Sequence, residues 1–236
     1  MPDTQDLPTI IRTELGDSRK LVAGEVHLYV VRISEQLNDE AELSALLSQD
    51  EHDRAGRFLN PQHGRNYRCM RGLLRKLLGG YLDIKPQAIQ FDYAEHGKPY
   101  LTHNRELQFN MSHSRDRAAY AFCLKQDVGV DIEFMRPQKN LQGMIGHVGS
   151  PQEQTELQQL NETQRLQAFY RLWTRKEAFI KAVGRGLGMG LRSIYIGSDE
   201  DSSPRGVEYK NEPLAEWLIQ DIAPPDDYKL AICNRR

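Results

Sequence analysis

Val130, Ile132 and Phe134 alternate with Asp131 and Glu133 along Gly129-Val130-Asp131-Ile132-Glu133-Phe134. A period of two belongs to a strand with one dry face and one wet face. A fold that accepts this strand must bury its valine and isoleucine against another layer and hold two carboxylates together on the opposite surface. The segment Trp173-Thr174-Arg175-Lys176-Glu177-Ala178-Phe179-Ile180-Lys181 adds a second constraint. Its spacing predicts a helix over 166–183, ended by Gly184 and Gly186, with Trp173, Glu177 and Lys181 at i, i+4, i+8 along one stripe. A third carboxylate then stands beside a cation.

The rest of the chain alternates between strand and helix signals. Alternation predicts a first strand over 25–33, and a charged helix follows at about 40–58. Within 54–76 there are seven Lys or Arg and no Asp or Glu, so this stretch is a candidate anion-binding surface. Arg65, Arg68, Arg71 and Arg75 recur there at helical spacing, opposite an apolar stripe of Tyr67, Met70, Leu74, Leu77, Leu78 and Tyr81, with Gly79-Gly80 as the expected stop. Short strands are expected at 89–93 and 107–111, with a turn at 96–99 between them. The segment 117–124 is small and apolar and leads through a turn at 125–127 into the acidic strand. Weak periodicity over 138–164 predicts a mobile loop in its first half and a polar helix in its second. Late strands are expected at 193–196, 217–219 and 228–233, with a polar loop at 199–206. The first eight or so residues are expected to be disordered.

Length and composition limit the class. A chain of 236 residues can bury one large core or two small ones. With 27% charged residues and a mean hydropathy of -0.64, and no apolar run of spanning length, no membrane association is expected. The N-terminus lacks the basic and apolar regions of a signal peptide. Cys69, Cys123 and Cys233 are odd in number and far apart, which fits neither a disulfide framework nor a zinc ribbon. A cytoplasmic protein is expected.

Asp131, Glu133 and Glu177 offer only oxygen ligands, which suits magnesium, with manganese as a substitute. Taken alone, Asp-x-Glu reads more readily as the wet face of an exposed strand. Taken alone, Glu177 and Lys181 read as a solvated helix pair contributing about 0.3–0.5 kcal/mol. Phe109-Asn110-Met111-Ser112-His113-Ser114 ends a strand with a group of small donors that could face phosphate, or His113 could be a satisfied structural histidine. Gly97-Lys98-Pro99 offers close backbone approach, a cation and a rigid stop, as many surface turns do.

In their order, Gly97-Lys98-Pro99, Asn110-Met111-Ser112-His113-Ser114, Gly129-Val130-Asp131-Ile132-Glu133 and Trp173-x-x-Lys176-Glu177-Ala178-x-x-Lys181 resemble the motif series of the surfactin-type (group II) 4'-phosphopantetheinyl transferases, with cyanobacterial members most alike. The segments Arg54-Ala55-Gly56-Arg57-Phe58 and Arg71-Gly72-Leu73-Leu74-Arg75-Lys76 resemble that family's first helices. The resemblance covers about 53–188.

That resemblance implies an α+β fold, a pseudo-dimer of two similar α/β halves with the active site in the cleft between them. It also implies a boundary between an N-terminal lobe (1–126) that binds coenzyme A and a C-terminal lobe (127–236) that carries the metal site and catalytic helix. The implied reaction transfers the phosphopantetheine arm of coenzyme A, the co-substrate, to a serine of an apo acyl, aryl or peptidyl carrier protein. Adenosine 3',5'-bisphosphate is released.

By the same resemblance Asp131, Glu133 and Glu177 hold the metal, and Glu177, Lys181 and Lys176 are catalytic. Arg54 and His113 bind coenzyme A phosphates, His96, Gly97, Lys98 and Pro99 line the adenine end, and Asn110, Met111 and Ser112 complete that wall. Asp131, Glu177 and Lys181 also contact the co-substrate. A monomer is implied. The chain departs from the family at 145–153, where paired aromatics are missing from the region expected to dock the carrier. Two other readings compete on chemistry: a nucleic-acid-binding module using the basic helix at 65–76, and a magnesium-dependent phosphohydrolase.

Overall fold

The computed structural model describes residues 8–17, 19–200, 203–225 and 227–236; the expected N-terminal disorder falls almost wholly outside them. In chain order the elements are β1 (Thr9–Arg12), β2 (Glu25–Arg32), α1 (Ile33–Gln36), α2 (Glu40–Ser44), α3 (Gln49–Gly56), α4 (Pro61–Leu82), β3 (Phe91–Tyr93) and β4 (Pro99–Leu101). They continue with β5 (Leu107–Ser114), β6 (Arg117–Leu124), β7 (Val128–Phe134), α5 (Leu141–Val148), α6 (Pro151–Gln158), α7 (Glu162–Val183), β8 (Ile194–Tyr195), β9 (Arg205–Tyr209), β10 (Glu212–Asp221) and β11 (Tyr228–Arg235).

Two sheets form the middle of the molecule, in the orders β1-β2-β6-β5 and β7-β11-β10-β9-β8. Each is backed on its outer side by a 22-residue helix, α4 on the first and α7 on the second. Tyr29, Val31, Tyr120 and Phe122 pack with Leu73, Leu74 and Leu78 of α4. Phe179 and Ile180 of α7 pack with Trp217 and Ile219. Between the sheets, Val26, Leu28, Ala119 and Ala121 meet Val130, Ile132, Leu230 and Ile232. The alternation read in the sequence thus has a direct cause, because the even-numbered apolar residues of β7 enter this inner layer. The architecture is the expected α+β arrangement of two sheet-and-helix halves.

Gly129 sets how closely α7 lies on β7. A Cβ built there would stand 2.1 Å from the Ala178 carbonyl oxygen and 2.4 Å from the Ala182 nitrogen, so helix backbone rests directly on strand backbone. Gly129→Ala is therefore expected to cost roughly 3 kcal/mol, at the upper end of overpacking effects, and a urea melt would measure it.

Several expectations need correction. From Arg65 to Lys76 the basic stretch is paired internally and is not a free anion-binding surface. Arg65 and Arg68 both bind Glu40, at 2.7 and 2.6 Å, and Lys76 reaches Glu42 at 3.1 Å. Arg71 and Arg75 are buried and donate to the two oxygens of Glu51 at 2.7 and 2.6 Å. The helix runs through Gly79-Gly80 and stops at Asp83, which adopts a left-handed φ of 53°. The charged helix at about 40–58 is split into α2 and α3 by a turn, with Ser48 and Glu51 forming a capping box. The expected loop in the first half of 138–164 contains α5, capped by the Asn140 side chain and burying Ile145 and Val148. Within the expected polar loop at 199–206, β9 already begins at Arg205.

Candidate active site

β5 and β7 are edge strands of their respective sheets, and their side chains meet across the seam. Asn110, Ser112 and Ser114 project to one side of β5 by the period of two. The Asn110 side chain accepts from the Val130 N–H (3.0 Å), and the Ser112 hydroxyl donates to Asp131 Oδ1 (2.7 Å). The Ser114 hydroxyl donates to Glu133 Oε2 (2.7 Å) and accepts from the Phe134 N–H (3.1 Å). Polar side chains thus satisfy edge groups that would otherwise be exposed, and they fix the two acidic residues where the sheets join.

Helix α7 closes the site from above. Because it sits on Gly129, Lys181 reaches Asp131 Oδ1 at 2.6 Å and the Ser112 hydroxyl at 2.9 Å. Asp131 is buried, and its second oxygen, Oδ2, has no hydrogen-bond partner among the described residues. Desolvation, reinforced by the Asp131 charge and opposed by Lys181, holds the Glu177 pKa above its ordinary 4.5. Glu133 is raised too, first by desolvation and then by Asp131, while Ser114 and Lys181 pull it down. Partly desolvated acids that repel one another create demand for a cation.

The carboxylates stand between two hollows. One, of about 300 Å³, is walled by His96, Gly97, Lys98, Pro99, Asn110, Met111, Glu177 and Lys181, so most of the residues expected around the co-substrate converge there. The other, of about 320 Å³, lies on the Glu133 side and includes Trp173, Tyr170, Arg115 and Arg136. A larger hollow, about 620 Å³, lies elsewhere, between α4 and Leu15, Gly16, Asp17 and Arg19, and is lined by none of the expected site residues.

Arg54 and His113 line neither hollow. Arg54 lies in the last turn of α3, exposed, with its guanidinium over the Tyr67 ring at 5.6 Å and no carboxylate partner among the described residues. His113 is exposed on the other side of β5, yet desolvation by the surrounding chain and the Lys181 charge lower its pKa.

Lys176 is not where a phosphate ligand would be. It is fully buried, and its ammonium donates to Glu153 Oε2 (2.5 Å) and to the carbonyls of Val148 (2.8 Å), Leu191 (3.0 Å) and Ile194 (2.6 Å). One position along a helix rotates a side chain by about 100°, so Glu177 faces the cleft while Lys176 faces α5 and α6. Glu153 is the residue that sequence reasoning missed. Its oxygens also accept from the backbone N–H groups of Ser150, Ile196 and Gly197.

Among the described residues, no group of three or more His, Cys, Asp or Glu side chains is arranged to hold a metal ion. Asp131 and Glu133 are each tied to a serine, and Asp131 also to Lys181. The donor set still fits a hard divalent cation: all its ligands are oxygens, Asp131 Oδ2 is orphaned, and two neighbouring carboxylates are poorly solvated.

The 4'-phosphopantetheinyl transferase superfamily pattern matches residues 127–233, and the family's N-terminal pattern matches 36–124. The chain belongs to the 4'-phosphopantetheinyl transferase family, transferases that move a phosphopantetheine group from coenzyme A to carrier proteins. It is 34% identical over 215 residues to the 4'-phosphopantetheinyl transferase HetI of Nostoc, covering 90% of this chain and 88% of that protein. A 4'-phosphopantetheinyl transferase of Bacillus subtilis is 30% identical over 197 residues, covering 83% and 85% respectively. AcpT of Escherichia coli is 39% identical over 143 residues, covering 61% and 69%. Among the described residues no helix is long and apolar enough to cross a membrane.

Proposed function

We propose that transfer takes place at the β5–β7 seam, with Asp131, Glu133 and Glu177 holding magnesium, or manganese in its place, and Lys181 assisting the leaving group. The observation that carries this reading is the convergence of Asp131, Glu177 and Lys181 beside a hollow walled by 96–99 and 110–111. When bound, the cation would neutralise charge on the pyrophosphate of coenzyme A. Glu177 accepts the proton of the carrier serine as the hydroxyl oxygen attacks phosphorus and the bond from that phosphorus to the departing phosphate oxygen breaks. Lys181 turns from Asp131 to donate to the departing phosphate oxygen. The wall at His96 to Pro99 receives the adenine end, and the hollow beside Glu133 is left for the arm and the incoming serine.

The division into a coenzyme A lobe (1–126) and a metal lobe (127–236) belongs to this proposal, as do monomeric action and a cytoplasmic location. Internal pairing of the α4 arginines with Glu40 and Glu51 removes the charge on which a nucleic-acid reading would depend.

Intact-mass spectrometry of an apo acyl carrier protein, incubated with this protein, coenzyme A and magnesium, tests the reaction. The carrier gains one phosphopantetheine arm, and chelator prevents the gain. No gain with several unrelated carriers would overturn the reading. Arg54→Ala is expected to weaken coenzyme A binding about tenfold, equivalent to about 1.4 kcal/mol for a lost charge-assisted contact. Calorimetry showing unchanged affinity would remove Arg54 from the site.

A further inference from the structure

Lys98 stands at the end of the β3–β4 turn, in the half of the molecule opposite α7. Lys98 lines the first hollow, and its ammonium is engaged by the protein's own carbonyls. The ammonium donates to the Ala182 carbonyl at 2.6 Å and approaches the Val128 carbonyl at 3.4 Å, with Asp127 Oδ1 at 3.9 Å. The side chain is only 15% exposed.

These acceptors lie at the end of the catalytic helix and the start of the acidic strand. The last carbonyls of a helix have no intrahelical partner, and a cation there also complements the helix dipole. α7 ends at Gly184, whose φ of 72° is left-handed and whose N–H returns to Ile180. A Cβ on Gly184 would stand 3.0 Å from Cδ of Lys98, so the bare glycine lets the lysine stem lie across the helix end. The capped carbonyl is one residue from Lys181 and five from Glu177, all within about the last two turns of the helix.

We propose that Lys98 is a positioning residue, an ammonium clamp from the N-terminal half that caps the C-terminal end of α7 and holds Lys181 and Glu177 in register with Asp131. Its stem walls the nucleotide hollow, and its charge is spent on protein carbonyls rather than on a phosphate of coenzyme A. This deepens the proposed function and rests on it for its kinetic consequences, while the clamp itself is a statement about α7.

The test compares Lys98→Met and Lys98→Arg with the wild-type chain, using coenzyme A and 3'-dephospho-coenzyme A as substrates and amide hydrogen exchange over 180–185. Lys98→Met is expected to lower kcat about 10- to 100-fold, the scale of a small misplacement of reacting groups. The KM for coenzyme A stays within about twofold. Discrimination between the two nucleotides does not change, the helix end exchanges faster, and Lys98→Arg restores part of the rate. A loss confined to coenzyme A, with kcat intact, would make Lys98 a phosphate ligand and overturn the proposal, as would unaltered kinetics and exchange. If the wild-type chain modifies no carrier, the proposed function fails, while exchange still decides the clamp: protection unchanged in Lys98→Met overturns it. Should Lys98→Met not fold, Lys98→Gln, which keeps a donor but no charge, is expected to show the same exchange and kcat losses in milder form.

Discussion

Glu177→Gln is expected to lower kcat for carrier modification by about 10³-fold or more while the protein becomes more resistant to heat at pH 8. The first effect combines loss of a general base, about 10² to 10⁴-fold by itself, with loss of one oxygen ligand to the cation. The second follows from linkage. Burial and Asp131 hold the folded pKa of Glu177 above the unfolded value of 4.5, so the folded chain binds this proton more tightly than the unfolded chain. The resulting stabilisation is complete below pH 4.5 and is lost as pH rises through the folded pKa. At pH 8 the ionised side chain is thus a cost, which a neutral amide of equal size removes. Added magnesium should raise the Tm of the wild-type chain more than that of Glu177→Gln, since the cation stabilises whichever state it binds. A variant with undiminished kcat would remove Glu177 from the chemistry. A fall in Tm at pH 8 would instead make it a structural acid.

What could be read from the sequence was periodic and local. The strand at 128–134, the long helix before Gly184 and the donor-rich end of β5 each follow a pattern complete within one element, and the structure brings them together at one seam. What could not be read was pairing between distant elements. Arg71 and Arg75 look like a surface charge cluster because Glu51, which neutralises both, lies 20 and 24 residues away on another helix. Lys98 reads as a free cation in a turn because its acceptors are carbonyls 30 and 84 residues away.

α5 was within reach. Asn140 supplies a cap, and Leu141, Met144, Ile145 and Val148 repeat at i, i+3, i+4, i+7, but Gly143 and Gly146 weaken the helix signal. β1 is only four residues long and half exposed, and it gains its identity from parallel pairing with β2. Paired aromatics are missing at 145–153. There the end of α5 and the start of α6 are locked by Ser150, Glu153 and Lys176.

That lock supplies the other large expected effect. Lys176 and Glu153 are both fully buried and 2.5 Å apart. Glu153 ties the α6 cap to α7 and to the backbone of Ile196 and Gly197, while Lys176 satisfies three carbonyls from α5 and from the segment after α7. Removing either partner strands a charge where water cannot reach it, at a cost of about 3–5 kcal/mol. For a chain of this size that corresponds to a fall in Tm of about 6–20 °C. Lys176→Met and Glu153→Gln should each show such a fall, and the double variant should lose less than the sum of the two, because its partners no longer face an unpaired charge. The folded fraction of Lys176→Met, assayed well below its Tm, should retain kcat within about threefold, since the ammonium points away from both hollows. The shared motif of Lys176 and Glu177 then divides its labour across two faces of one helix, the lysine assembling the C-terminal half and the glutamate working in the cleft. A 100-fold loss of kcat with Tm unchanged would reverse that division and return Lys176 to the phosphate.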